Sequence, residues 1–273
     1  MKLGLKVDVV TPRGAREGVP RLVELLARHH AGATFFFTLG RDHLFGQTWL
    51  PGSDVGRRCA DEMRAVRSAG FEAGIHAFDG ARWRRTARGA GAAWTSREMQ
   101  SACERFQEIF GEPALTHGAA DWQMNRHAYR LTQRLGFRYC SDTRGVCPFV
   151  PVCNAEVIAC PQLPTTLPVL DELIGFNGVT IDNVADHVLR LSAMPPPGGH
   201  VYTLRAEVEG MKLTPVFDKL LIGWRAQGYV LVALRDLADD INVARLPRHC
   251  VIDGNIPGRA RTVARQGKEF LSY

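Results

Sequence analysis

The chain predicts a single α/β domain, a distorted (β/α) barrel of about seven strands. Strand-like and helical segments alternate along most of its 273 residues, the pattern of a parallel sheet with crossover helices. The number of these units, with neither GxGxxG nor a P-loop among them, favours a barrel over a nucleotide-binding sheet. No internal repeat and no long linker divides the sequence. The whole of 1–273 is therefore expected to be one domain, with a core over about 3–241 and a C-terminal tail over 242–273.

The elements follow in order. Leu3 to Val10 reads as a buried strand, broken by Pro12 and Gly14. Val19 to His30 carries Val19, Leu22, Val23, Leu25 and Leu26 at helical spacing. Ala33 to Leu39 is a second buried strand around Phe35-Phe36-Phe37. After a Pro/Gly/Ser loop, residues 54–68 read as a helix and Phe71 to Ala77 as a third strand. Thr95 and Glu98 have capping-box spacing and would open a helix reaching Phe110, stopped by Gly111 and Pro113. Leu115 to Ala119 is a short strand. Asn125 would cap a helix to Leu135, and Phe137 to Ser141 and Val157 to Cys160 are further strands. Residues 142–178 hold five prolines and are expected to wrap irregularly over one face. Thr180 to Leu191 is helical, Val201 to Ala206 a strand, Lys212 to Gln227 a helix, Tyr229 to Ala233 a strand and Leu234 to Ile241 a short helix.

Composition excludes several classes. Hydrophobic residues make up 45% and charged residues 23%, a globular balance rather than a disordered one. No apolar run reaches the roughly 18 residues of a membrane span. The opening MKLGLKVDVV enters a strand directly, without the apolar stretch and cleavage site of a signal peptide. A cytoplasmic location is expected, with peripheral contact at the inner membrane as an added possibility. The net charge is +6, and only five of the 34 basic residues are lysines, at 2, 6, 212, 219 and 268. An arginine excess suits a bidentate anionic partner, and a GC-rich genome gives the same bias. The run Arg82-Trp83-Arg84-Arg85-Thr86-Ala87-Arg88 could meet a phosphate or lipid headgroups, or be a solvated loop. No basic helix with interleaved aromatics is present, so no nucleic-acid partner is expected. The seven cysteines include no CxxC pair and read as reduced structural thiols.

Function in such folds sits where strands run into loops. The strand ends offer Asp8, His76 with Asp79, Trp122, Asp142 with Arg144, and Arg205 with Glu207 and Glu209, expected to face a common opening. Each has a plainer reading beside it: a lone Asp often caps a helix, and a lone His is often structural. His200 after Gly198-Gly199 reads as a surface residue, and His29-His30 as a pair at a helix C-terminus, where the dipole favours it.

Several segments carry a family resemblance: GLKVDVVTPRGAREGVPRLVELL, ATFFFTLGRDH, EAGIHAFD, RYCSDTRGVCPF, LPTTLPVLDELIG, VYTLRAEVEG and GNIPGR. In this order they resemble the metal-dependent polysaccharide deacetylases. They look most like the bacterial 4-deoxy-4-formamido-L-arabinose-phosphoundecaprenol deformylases and undecaprenyl-phosphate hexosamine deacetylases that serve lipid A modification. The resemblance implies hydrolysis of an N-acyl group from a lipid-linked sugar. It also implies a divalent metal such as zinc, held by an Asp and two His with open positions for water and substrate. A second Asp would be general base, a His the acid for the leaving amine, and an Arg would orient the base.

Carried over position by position, most of that machinery is missing. Asp8 stands at the base position, but the ligand carboxylate is Val10. His76 matches one ligand His, while its partner four residues on is Gly80. Trp122 is followed by Gln123 where the orienting Arg belongs, and the acid His before Ala-Glu-Val-Glu is Arg205. Valine and glycine offer no lone pair, and a guanidinium is a poor acid at neutral pH. The framework segments around Ser141–Gly145 and Glu207–Gly210 are kept. The expectation is a homologue that has lost metal-dependent catalysis, needs no cofactor, and binds an anionic lipid-linked sugar or related ligand through Arg144, Arg205, Asp142, Trp122 and Glu207, with Arg82 as a further contact and an active paralogue as a possible partner. Asp79 and His117 are weak substitutes for the lost metal ligands beside Asp8 and His76. An active C–N hydrolase with a rearranged site and a binder of an unrelated phosphorylated ligand are the alternatives. The loop over about 40–53 is short for the family, and its Leu44, Phe45, Trp49 and Leu50 could dip into a membrane interface.

Overall fold

The computed structural model describes residues 1–43 and 52–271, so the four apolar residues of the 40–53 loop lie outside the described residues. Seven strands form one parallel sheet. Its order is His200–Arg205, Lys2–Val9, Thr34–Thr38, Glu72–Ala77, Thr116–His117 and Tyr139–Cys140, and Val230–Val232 also pairs with Lys2–Val9. Helices Val19–Arg28, Ala60–Ser68, Ala92–Phe110, Arg126–Arg134, Val184–Leu191 and Thr214–Ala226 pack around it.

Alternation along the first strand sorts the two sides of this wall. Leu3, Leu5, Val7 and Val9 are fully buried in the outer cluster. Gly4, Lys6 and Asp8 fall on the opposite face, toward the inside. The bottom of the barrel is plugged by Phe36, Tyr139, Leu163, Val201, Leu234 and Leu237. A Cβ at Gly4 would stand 2.6 Å from Leu237, so only glycine fits beside the plug. Lys6 lies in the next layer and Asp8 at the strand end, the usual side for a barrel's site.

The sheet leaves a gap between Tyr139–Cys140 and His200–Arg205, and the proline-rich region fills it. Leu163 N–H donates to the Cys140 carbonyl and Thr166 N–H to the Val201 carbonyl. The region read as an irregular wrap thus closes the barrel. It also contributes the strands Val150–Cys153 and Glu156–Val157, so the expected strand at Val157 to Cys160 starts one residue earlier and ends at Val157.

The segment read as a tail is a β-hairpin. Arg248–Gly254 pairs antiparallel with Val263–Glu269 and parallel with Val150–Cys153. The hairpin is tied to the barrel where Arg144 N–H donates to the Ala264 carbonyl and Gln266 N–H to the Arg144 carbonyl. Other departures are local. The helix over 54–68 is two, Val55–Arg58 and Ala60–Ser68. The long helix begins at Ala92, three residues before Thr95, whose hydroxyl donates to the Gly91 carbonyl. Asn125 does cap the next helix, accepting from the His127 and Ala128 N–H groups. His200 is buried, with Nδ1 2.8 Å from the Thr166 hydroxyl, and His29 Nε2 lies 2.6 Å from Asp218. The seven cysteines are free thiols. No helix of the described residues is long and apolar enough to cross a membrane.

Candidate functional site

A cavity of about 320 Å³ opens above the strand ends, and Asp8, His76, Trp122, Arg205, Glu207 and Glu209 all line it. Asp8 and Arg205 are register partners on adjacent strands. Asp8 Oδ1 is buried without a hydrogen bond, 3.6 Å from His76 Nδ1 and 3.7 Å from Lys6 Nζ. Burial pushes its carboxyl up to about 6, against the pull of Lys6, Arg205 and Arg259. His76 Nδ1 lies 2.7 Å from the Gly118 carbonyl, and burial drives the imidazole down to about 3. A neutral ring that donates from Nδ1 keeps an acceptor at Nε2. Lys6 is fully buried. Its ammonium donates to the Ser141 carbonyl at 2.9 Å and sits 5.4 Å from both the Phe36 and Trp122 rings. Burial pulls its pKa down.

Glu207 locks the loop after the first strand. Its Oε1 accepts from Val10 N–H, Thr11 N–H and the Thr11 hydroxyl at 2.8 to 3.0 Å, while Oε2 is buried and unpartnered. Two glycines let the first helix approach this lock: a Cβ at Gly14 would meet Glu207 Oε1 at 2.1 Å, and one at Gly18 the Ala206 carbonyl at 2.1 Å. The segment at Ala206 and Glu207 therefore holds the loop and helix start that follow the first strand. Glu209 accepts from the Tyr202 hydroxyl and from Arg205 N–H, and burial raises its carboxyl to about 7.

Trp122 is clamped on the cavity wall. The guanidinium of Arg144 lies 4.9 Å from its ring centre and that of Arg259 lies 4.5 Å from it. Glu172 accepts from both arginines, and Arg259 also pairs with Asp121. Asp121 and Trp122 have φ of 56° and 51°, a left-handed turn unusual outside glycine that this clamp holds in place. Arg259 belongs to the GNIPGR segment and lines the cavity. Nothing local in the sequence marks a residue of a distant hairpin as part of a barrel mouth.

Other expected residues lie elsewhere. His117 and Asp142 do not line the cavity; they face each other at 2.7 Å, with His117 against Phe137 and Trp83. Burial would raise the Asp142 carboxyl, but His117, Gln162 and the Ala119 N–H together hold it below the ordinary value. Asp79 accepts from Arg82 N–H at 2.9 Å as a helix cap, with its other oxygen 2.7 Å from His43 Nε2. Arg82 lines a separate groove with Asp79 and Glu98. Arg144 is buried behind Trp122, and Arg205 pairs with Asp171 at 2.9 Å. Asp42, His43, Arg84 and Asp171 line the cavity without having been singled out, although Arg84 lies within the basic run.

No family model matches the chain. The protein of Shewanella sediminis named "Probable 4-deoxy-4-formamido-L-arabinose-phosphoundecaprenol deformylase ArnD" is 30% identical over 97% of this chain and 94% of its own length. The chain belongs to the ArnD deformylase family. A protein of the same name from Wigglesworthia glossinidia brevipalpis is 27% identical, covering 93% of this chain and 99% of its own. Among solved structures, one assigned as a polysaccharide deacetylase from Mycobacterium smegmatis superposes with a TM-score of 0.69 at 16% identity, covering 93% of this chain and 95% of that one. A CE4 family pseudoenzyme from Bacillus anthracis superposes at 0.59 and 14% identity, over 91% of this chain and 69% of that one. These two likenesses show the fold.

The metal that family resemblance implies can be tested against the residues present. A Cβ built on Gly80 would lie 3.8 Å from Val10 Cγ1 and 3.2 Å from the Thr38 hydroxyl. The two positions that should each supply a ligand thus converge, and what converges is a methyl group and an empty side-chain position. Among the described residues no group of three or more His, Cys, Asp or Glu is placed to hold a metal ion. Asp79 and His117, the suggested substitutes, are turned to His43 and Asp142. The residues do not fit the metal.

Proposed function

We propose that this member of the deformylase family keeps the sugar cavity and has lost metal-dependent hydrolysis. Its ligand is a polyprenyl-phosphate-linked amino sugar of the kind named in its relatives, met at the cytoplasmic face of the inner membrane beside an active paralogue. The observation that carries the reading is the meeting of Gly80 with Val10, which lines the cavity. Without those ligands, His76 alone cannot fix a Lewis acid, and Arg205 cannot serve as the acid of the family pattern. No other catalytic route is assigned.

The cavity itself supports binding. Its volume of about 320 Å³ is at the small end of ligand pockets and suits one sugar ring. Arg84 lines it with no ion pair among the described residues, which suits the phosphate of such a ligand. The test is incubation of purified protein with 4-deoxy-4-formamido-L-arabinose carried on a short polyprenyl phosphate, with and without added zinc. Saturable binding with no formate above a protein-free control is expected. Turnover abolished by Asp8→Asn would favour a second reading, an active hydrolase with a rearranged site. That reading draws on Asp8, a buried carboxylate at the cavity with an unpartnered oxygen.

A further inference from the structure

Resting on the reading just given, we propose that the cavity selects the sugar's free primary amine, bound as an ammonium, over its N-acylated form. The protein would then recognise what a deformylase releases rather than what it consumes.

The charges around the cavity point this way. Six carboxyl groups line it, from Asp8, Asp42, Asp121, Asp171, Glu207 and Glu209, the last partly protonated near neutral pH, against the three guanidiniums of Arg84, Arg205 and Arg259. Two of those guanidiniums are already given to acids, Arg205 to Asp171 and Arg259 to Asp121. The Lys6 ammonium donates to Ser141 and forms an ion pair with Asp8 at 3.7 Å, which offsets one charge without filling a hydrogen bond on Asp8.

Two of these carboxyl groups also have unfilled hydrogen-bonding capacity. Asp8 is only 6% exposed, lines the cavity, and has an oxygen without a hydrogen-bond partner. Glu207 likewise has a buried, unpartnered Oε2. His76 spends its Nδ1 hydrogen on Gly118, which leaves its other nitrogen an acceptor. Buried acceptors beside the cavity therefore go unmet, and an unmet buried acceptor is costly.

An ammonium brings three donors, no acceptor and a positive charge. A formamide brings one N–H, no charge, and a carbonyl oxygen that would face carboxylates. In a family member with a metal, that oxygen would meet the cation. Here the positions of two ligands are Val10 and Gly80, and neither side chain holds a cation for that oxygen.

The test is calorimetric titration, near neutral pH, with three probes: 4-amino-4-deoxy-L-arabinose 1-phosphate, its N-formyl derivative, and L-arabinose 1-phosphate. The amine is expected to bind at least about tenfold tighter than the N-formyl sugar, with the hydroxyl sugar between them. Asp8→Asn should reduce the amine's advantage to about twofold or less. His76→Gln, which keeps an acceptor without a ring, should retain most of it and covers the case in which Asp8→Asn fails to fold. If the N-formyl sugar binds as tightly as the amine or tighter, the selectivity is wrong and the sugar-binding reading stands. If none of the three binds, the reading falls and the selectivity with it.

Discussion

Val10 and Gly80 meet behind the cavity wall: a Cβ on Gly80 would come within 3.8 Å of Val10 Cγ1. They lie 70 residues apart in sequence, one just past the first strand and one just past the strand Glu72–Ala77. A single ligand lost by drift could be replaced by water. Two adjacent ligands lost together remove one side of a coordination sphere, which leaves His76 with nothing to complete it.

This relationship is testable by reversal. Val10→Asp with Gly80→His is expected to take up close to one equivalent of zinc, because the backbone already brings the two positions together. Adding Arg205→His should tighten the site further by removing a fixed positive charge lining the same cavity. Metal content after dialysis, measured by mass spectrometry, checks both. Failure of the double variant to hold zinc while folded would show that the backbone there has diverged as well.

Arg259 is expected to be structural for the mouth as well as part of its lining. Arg259→Ala removes partners of Asp121 and Glu172 and one face of the Trp122 clamp. A loss of about 1–3 kcal/mol follows from leaving those acceptors short of donors. Urea denaturation measures it. Arg259→Lys should recover only part, since an ammonium cannot make both contacts and stack as a planar fork does.

Gly18 is held to glycine by packing rather than by its dihedrals. Its φ of −76° is ordinary, but a Cβ would meet the Ala206 carbonyl oxygen at 2.1 Å. Gly18→Ala must therefore push the first helix away from the Glu207 lock. A cost of roughly 2 kcal/mol or more is expected, within the range of overpacking. It should show as a lower melting temperature and a smaller soluble yield.

Glu209 gives a pH signature. Its folded-state pKa of about 7 lies above the ordinary 4.5, so between these values the folded chain holds a proton that the unfolded chain has lost. Its contribution to stability is full below about 4.5 and is lost as pH rises through about 7, with a slope of at most about 1.4 kcal/mol per pH unit. Glu209→Gln keeps one carbonyl acceptor for Arg205 N–H, turns an amide N–H toward the Tyr202 hydroxyl oxygen, and has no proton to lose. The variant should be more stable than the parent at pH 8, and the gap should close toward pH 5. A constant gap across that range would count against burial as the cause.

Much of this was legible in the sequence because the barrel strands announce themselves. Leu3 to Val9 and Phe35 to Phe37 are continuous apolar runs, as strands buried on both faces must be. Asp8, His76 and Arg205 were found by asking what stands at their ends. His117 and Asp142 were misplaced toward the mouth for a reason of period. In the two-residue strand Thr116–His117, Thr116 is the residue near Gly74 on the inside, so His117 faces outward to Phe137. The barrel's closure by Leu163 and Thr166 and the hairpin bearing Arg259 were not legible. Their pairings join distant segments rich in proline or mixed in polarity, and only the assembled sheet shows what they pair with.

The most direct measurement of the central claim is metal stoichiometry on untagged protein, before and after incubation with zinc, cobalt and manganese. No retained equivalent of any of the three is expected, with the fold intact. One equivalent of metal, lost on His76→Ala, would contradict it and would return the chain to the metal-dependent hydrolases of its family.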